Sequence, residues 1–368
     1  MNTVYFIVSG RPNYIKFIPV IQEMRTSFEC HTIDLCQHKN KAMSGEILDD
    51  FGIAINHFID LGQFEKNGVV DYYNRTPFGI GELLKYFSSK ERGFVFVFGD
   101  MDGALIGALA AFKSGFPVVH VEAGLRSLSP TQTEERNRIM IDKLSTIRFC
   151  TEDSAMINLN YERFVGHNFL VGNTMIDSLM SFLPKKTTDS GPILTLHRPE
   201  NVDDPFRLLF LLNKISDMFG FTDIKFYIHP RTKNKLEQYN LMDYVKTMKH
   251  IRLLDPLPYT EFVNELANCE YAVTDSGGIQ EEISFLKKKC YTLRESTERP
   301  STVFCGSNLV IQPSVLLQNS CIIDGIPYYD SIESVGRNQD IEIKDIPYWD
   351  GQSAKRIFKI MTDIKDQF

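Results

Sequence analysis

The stretch Thr274-Asp275-Ser276-Gly277-Gly278-Ile279-Gln280-Glu281-Glu282 carries the sharpest chemical signal in the chain: an apolar run ends in Ser-Gly-Gly and a helical pattern begins. Adjacent glycines let a backbone approach a ligand closely, and the free N–H groups and positive dipole end of a new helix suit a diphosphate. Ser276 adds a hydroxyl. A plain strand-to-helix turn uses the same residues, because glycine serves tight turns anywhere. The Glu281-Glu282 pair would repel phosphate unless one carboxylate turns aside, for example onto ribose hydroxyls. Downstream, Arg294-Glu295-Ser296-Thr297-Glu298-Arg299-Pro300 places guanidinium groups near the same rim, and their fork matches phosphate oxygens in pairs. Its bland alternative is an ion-paired surface loop.

The first half holds carboxylates where the second holds glycines. Gly10-Arg11-Pro12-Asn13-Tyr14-Ile15-Lys16 reads as an anion-facing loop that opens a helix. Gly99-Asp100-Met101-Asp102-Gly103, His120-Val121-Glu122-Ala123-Gly124-Leu125-Arg126-Ser127 and Thr133-Glu134-Glu135-Arg136-Asn137-Arg138 put Asp100, Glu122 and Glu134 at or near strand ends. Crowded, buried carboxylates acquire the raised pKa that proton transfer to and from carbon requires. The competing readings are an ion-paired helix face for Glu134 to Arg138 and helix N-capping for Asp100 and Glu122. In Thr195-Leu196-His197-Arg198-Pro199-Glu200-Asn201 a histidine follows a strand beside an arginine and a carboxylate, a setting for a catalytic group or a satisfied structural one. His229-Pro230-Arg231 repeats the theme, as a substrate contact or a structural residue. HExxH, CxxC, Walker A and GxSxG spacings are all missing, so no metal site, P-loop or nucleophile elbow is implied.

These clusters need a scaffold that delivers strand ends to one place. Short apolar runs, such as Val4 to Val8, Phe94 to Phe98, Pro117 to Val121, Ile147 to Cys150, Ile193 to Leu196, Lys225 to Ile228, Ala272 to Thr274 and Tyr291 to Leu293, alternate with segments of helical period. That is the pattern of parallel strands buried on both faces, a doubly wound α/β architecture whose ligands bind beyond the carboxyl ends of the strands. The chain has 368 residues, which fits two domains of about 150 to 200 residues each. Leu183 to Pro192, rich in Lys, Thr, Ser, Gly and Pro, is the linker candidate. Ser353 to Lys365 is amphipathic, with Ile357, Ile360, Met361 and Ile364 at helical spacing, and is expected to cap a core.

A net charge of -7 argues against nucleic-acid binding, although a local basic pocket stays open. With Val4 already opening a strand-like run, and no run of about 18 apolar residues, neither a signal peptide nor a membrane span is expected, and the chain reads as cytoplasmic. The 7 cysteines are scattered and read mostly as small buried apolar residues.

With these residues in place, the chain resembles the UDP-N-acetylglucosamine 2-epimerase family in its non-hydrolysing branch. The motifs run in order along nearly the whole sequence: GRPNYIK, QHKNKAMS, FGDMDG, HVEAGLRS, TEERNR, VGNTMIDSL, TLHRPENVDD, LDPLPYTEF, TDSGGIQEE and RESTERP. The resemblance implies an α/β fold of GT-B type, two Rossmann-like doubly wound domains with a cleft between them. Residues 1–182 would form the first, with the C-terminal helix 352–368 packing back on it, and 183–351 the UDP-binding second. It implies that the diphosphate rests on Ser276, Gly277 and Gly278, the ribose near Glu282 and the uracil near residues 254–262. Asp100, Glu122 and Glu134 would be acid and base carboxylates, His197 the catalytic histidine, and Arg11 and Lys16 cationic contacts. Arg138, Arg198, His229, Phe262 and Arg299 would complete the substrate contacts.

The implied activity interconverts UDP-GlcNAc and UDP-ManNAc through loss and re-addition of UDP, without cofactor or metal, in a cytoplasmic homodimer that supplies surface-polysaccharide precursors. Competing readings are a hydrolysing or modified-sugar 2-epimerase and a GT-B glycosyltransferase. Local departures from the family pattern are Met101-Asp102-Gly103 in place of small hydroxyl residues, Thr133 in place of a proline, and Lys143 where a histidine often follows the aspartate.

Overall fold

The computed structural model describes residues 1–36, 48, 51–66, 69–130, 132–164, 166–184, 190–218, 223–318 and 342–368. The segment Gln37 to Met43, the middle of the linker candidate, Cys321 and the side chain of Arg11 lie outside the described residues. The chain forms two compact units, Met1–Ser181 with Pro347–Phe368, and Phe182–Ile346.

In the first unit the chain runs through β1 (Thr3–Val8), β2 (Glu29–Asp34), β3 (His57–Phe58), a small antiparallel ribbon of β4 (Glu65–Lys66) and β5 (Val69–Val70), then β6 (Phe94–Phe98), β7 (Val118–Ala123), β8 (Ile147–Cys150) and β9 (His167–Leu170). Its 7-stranded parallel sheet has the order β3-β2-β1-β6-β7-β8-β9. Every residue of β1, β6, β7 and β8 is buried, as strands covered on both faces must be, which is why they read as mainly apolar runs, broken by His120 and Glu122 in β7 and Arg148 in β8. Phe6 packs tilted against Phe17 and Phe96 and stacks on Phe98 in the core beneath. Strand order reverses between β1 and β6, so the loops leaving those strands part and open a crevice at their carboxyl ends.

The C-terminal segment belongs to this unit. Trp349 is buried and its indole donates to the Thr151 carbonyl at 2.9 Å. The amides of Ser353 and Ala354, at the start of helix Ser353–Ile364, donate to the Asp177 carboxylate at 3.2 and 2.7 Å, and the helix packs on helix Arg11–Met24 through Ile357, Met361 and Ile364.

The second unit repeats the plan with β10 (Ile193–Thr195), β11 (Ile224–Tyr227), β12 (Ile251–Leu254), β13 (Tyr271–Thr274), β14 (Lys289–Leu293) and β15 (Asn308–Ile311). Its 6-stranded sheet is parallel in the order β12-β11-β10-β13-β14-β15, reversing between β10 and β13. Leu194, Leu208, Leu212, Phe226 and Val273 anchor its core. Two doubly wound parallel units make this a GT-B type α/β fold. Among the described residues no helix is long and apolar enough to cross a membrane. Cys36, Cys150, Cys269, Cys290 and Cys305 are buried, and burial pushes Cys290 up to about 12, far from a reactive thiolate.

Candidate active site

In the first unit the crevice is organised around the Gly99-Asp100 turn, directly after β6. Gly99 has φ +61, a left-handed conformation that favours glycine, and a Cβ there would lie 3.2 Å from Lys16 Nζ and 3.6 Å from Glu122 Oε1, which puts both groups beside the turn. Lys16, in helix Arg11–Met24, forms an ion pair with Glu122, and both side chains are almost fully buried. Glu122 is held at φ 72, in the left-handed region, and the pairing of β7 with β8 shifts register between Val121 and Ala123. Such a bulge re-aims the side chain it carries. An αL conformation at a non-glycine residue costs on the order of 1–3 kcal/mol and persists only where the surroundings enforce it. Asn13 donates to the Phe98 carbonyl at 2.8 Å and fixes the helix start against the end of β6.

Asp100 takes the Arg138 guanidinium on Oδ2 at 2.5 Å. Arg138 also donates to Glu135 at 2.8 Å, and Glu135 in turn accepts the Ser127 and Leu128 amides at 2.8 and 3.0 Å. Glu135 is therefore the structural member of the Glu134-Glu135 pair. Glu134 stays half-buried on the first turn of helix Thr133–Leu144. Burial, then the charge of Asp102 and after it that of Glu134, pushes the Tyr72 phenol upward. The N-cap of helix Asp102–Lys113 is Met101, so Asp100 is not spent on capping.

A layer beneath this turn escaped the sequence reading. His120 Nε2 lies 2.9 Å from the Gly99 carbonyl and Nδ1 lies 2.6 Å from Asp142 Oδ1. Asp142 also accepts the Gly124 amide at 3.1 Å and pairs with Arg126 at 2.8 Å, and Arg126 reaches Glu162 at 2.7 Å. Complete burial would raise the Asp142 carboxyl, but the His120 and Arg126 neighbours hold it below its ordinary value. The available signal was alternation: His120 sits two residues before Glu122 on one strand.

In the second unit the site lies at the ends of β10 and β13. Fully buried Asp275 accepts the His197 and Arg198 amides at 3.0 and 2.9 Å and the Asn201 side chain at 3.1 Å. His197 Nδ1 is 2.9 Å from it as well, which commits that nitrogen as donor and leaves Nε2 as the uncommitted side of a half-exposed ring. Burial raises the Asp275 carboxyl, yet His197, the Arg198 amide and Asn201 outweigh burial and bring it down to about 2. The His229 ring packs on His197 with centroids 5.0 Å apart, and its Nδ1 accepts the Arg231 amide at 3.1 Å, capping helix Pro230–Gln238.

Ser276 caps helix Gly277–Phe285 by accepting the Ile279 amide. Glu282 is buried and accepts the Tyr259 hydroxyl at 2.7 Å. Phe262 meets Tyr227 edge-on at 5.7 Å, beside a cavity of about 690 Å³ that reaches from Tyr227 along residues 254–257. Instead of sitting at a rim, Arg294 and Arg299 are buried behind the glycines. Arg294 pairs with Glu298 at 2.8 Å, and Arg299 pairs with Glu281 at 2.8 Å and with Glu298. A Cβ on Gly277 would point into this group, 3.1 Å from the Arg299 guanidinium carbon and from Glu298 Oε1.

A family model described as UDP-N-acetylglucosamine 2-epimerase matches residues 22–362. The chain is 32% identical to the UDP-N-acetylglucosamine 2-epimerase of Methanocaldococcus jannaschii, over 97% of this chain and 98% of that one. It is also 32% identical to the UDP-2,3-diacetamido-2,3-dideoxy-D-glucuronate 2-epimerase of Pseudomonas aeruginosa, over 83% and 87%. The crystal structure of the M. jannaschii enzyme in complex with UDP-GlcNAc and UDP aligns with a TM-score of 0.86 at 32% identity, covering 98% of this chain and 99% of that one.

Proposed function

From the premise that the chain belongs to the UDP-N-acetylglucosamine 2-epimerase family, and is thus a nucleotide-sugar isomerase, we propose a mechanism in which the first unit moves protons and the second holds UDP. The C2 proton of an N-acetylhexosamine has no adjacent carbonyl and resists direct abstraction. Breaking the C1–O bond, with the electron pair leaving on UDP, develops positive charge beside C2. A carboxylate then removes the C2 proton and a glycal forms with UDP still bound. UDP re-adds to C1 while a second acid protonates C2 from the opposite face, giving UDP-ManNAc. Bound donors and cations that await the developing charge supply most of the acceleration.

The observation that carries this reading is the Gly99-Asp100 turn, where Lys16–Glu122 and Arg138–Asp100 place two carboxylates, each with its own cation, at a strand switch point. Asp100, Glu122 and Glu134 divide the acid and base roles, with Arg11 and Lys16 as the cationic substrate contacts. Ser276, Gly277 and Gly278, at a helix N-terminus, receive the diphosphate, with His197 and Arg198 at the departing oxygen. Arg138 holds Asp100, while Glu282, His229 and Phe262 bound the nucleoside side. Arg299 acts from behind Gly277, keeping the turn in shape. The working form is a homodimer in the cytoplasm that feeds surface-polysaccharide assembly.

The test is a proton NMR time course with UDP-GlcNAc in deuterated water. UDP-ManNAc carrying deuterium at C2, without acceptor, metal or cofactor, is the expected product. Free N-acetylmannosamine with stoichiometric UDP would replace the retaining outcome by a hydrolysing one, and product lacking C2 deuterium would remove the two-carboxylate mechanism.

A further inference from the structure

Asp102 stands at the first turn of helix Asp102–Lys113, in the stretch that departs from the family pattern, and the proposed mechanism gives it no role. Its Oδ1 accepts Asn137 Nδ2 at 3.0 Å, and the same Nδ2 donates to the Asp100 carbonyl at 2.9 Å. Both neighbours of that nitrogen are pure acceptors, so the Asn137 amide can face only one way. Arg138, the next residue, grips the Asp100 carboxylate. Asp100 is thus held at main chain and side chain by consecutive residues of helix Thr133–Leu144.

On the far side of Asp102 lies Arg75, in helix Tyr72–Phe87, its side chain fully buried. Arg75 Nη2 is 3.8 Å from Asp102 Oδ2, and among the described residues no hydrogen-bond acceptor meets any of its guanidinium nitrogens. The guanidinium is therefore balanced by Asp102 through charge rather than a formed hydrogen bond.

We propose that Asp102 is a positioning residue for Asp100: its carboxylate, seated between the Arg75 guanidinium and the Asn137 amide, holds helix Thr133–Leu144 onto the turn that carries Asp100. The proposal rests on the reading of Asp100 as a proton-transfer group. It makes Asp102 more than a counter-charge, because the contact that matters for catalysis is the one with Asn137.

Three variants separate those roles: Arg75→Met as the reference, Arg75→Met with Asp102→Asn, and Arg75→Met with Asp102→Ala. In the two double variants both charges go together and no unpaired buried ion remains, while in the reference Asp102, 16% exposed at its side chain, keeps the Asn137 amide; circular dichroism checks that all three are folded before kcat is compared. Asparagine keeps an acceptor for Asn137, and kcat for UDP-GlcNAc epimerisation should stay within about threefold of the reference, whereas alanine should lower kcat about tenfold with KM changed by less than about threefold, as small misplacements of reacting groups do. Equal kcat in the Asn and Ala variants would reduce Asp102 to a counter-charge and overturn the proposal. An Asp100→Asn control tells apart the possible failures. If that control is inactive, equality of the two Asp102 variants sinks the positioning role alone; if it keeps full kcat, the reading of Asp100 and the proposal fall together.

Discussion

Replacing Glu122 by glutamine tests chemistry and packing in one molecule, and the structure separates the two effects. Lys16 and Glu122 are 5% and 3% exposed, and the carboxylate is the ammonium's ion-pair partner. Removing one member of a buried pair costs about 3–5 kcal/mol, because the remaining charge is left uncompensated. For a unit of about 200 residues, each kcal/mol moves Tm by about 2–4 °C, so Glu122→Gln should lower Tm by about 6–20 °C. The amide also cannot take the C2 proton, and kcat should fall by at least about 100-fold.

Adding Lys16→Met removes the stranded ammonium. Thermal unfolding followed by circular dichroism should then recover most of the lost Tm, while the NMR rate of epimerisation recovers nothing. A Glu122→Gln enzyme with normal kcat would remove Glu122 from proton transfer. A double variant whose kcat returns along with its Tm would make Glu122 a mere partner for Lys16, and an unchanged Tm in the single variant would contradict the buried pair itself.

Two further outcomes follow from the second unit. Gly277→Val would drive a branched side chain against Arg299 and Glu298, both 3.1 Å from the Cβ position, and calorimetry should find UDP affinity lower by at least about tenfold in a folded protein; unchanged affinity would move the diphosphate elsewhere. The Asp275 carboxyl titrates at about 2 in the folded chain against an ordinary 3.8. A depressed folded value stabilises the fold above the unfolded pKa and is lost as pH falls, so the contribution, about 2 kcal/mol, should vanish between pH 3.8 and about 2. Urea unfolding across that window should show a shallower decline for Asp275→Asn, and equal slopes for both proteins would refute the assignment.

The fold was legible where burial is two-sided and faint where it is not. Phe94 to Phe98 and Ile147 to Cys150 coincide with β6 and β8, because a strand sandwiched between helices favours apolar residues and admits a charge such as Arg148 only where it finds partners, here the Asp142 carbonyl. The strands that the apolar pattern missed are β2, β3, β9, β12 and β15, together with the little ribbon. β2 begins Glu-Cys-His with its first three positions not buried, β9 is half-buried throughout, and β12 and β15 are sheet edges with only their first residues buried. One-sided burial admits polar side chains and breaks the run. The clusters after β1, β6, β7, β10 and β13 were visible for the converse reason, since polar residues at the end of an apolar strand stand out.

What the sequence could not supply was the pairing of charges, and Arg299 shows why this matters. Read along the chain, Arg294 and Arg299 look like forks waiting for phosphate; in the fold they are buried against Glu281 and Glu298. A guanidinium removed from water needs a counter-charge, and the Glu281-Glu282 doublet that looked hostile to a diphosphate provides one through Glu281 while Glu282 takes the Tyr259 hydroxyl. Two cations and two carboxylates cancel behind the turn. In the proposed mechanism the diphosphate therefore draws on the neutral donors of the helix end at Ser276, Gly277 and Gly278 and on Arg198 at the departing oxygen, not on Arg294 or Arg299. That suits a leaving group that must depart from C1 and attack it again: a backbone cradle with few cations stabilises the departing charge without the deeper Coulombic trap that two further free arginines would set.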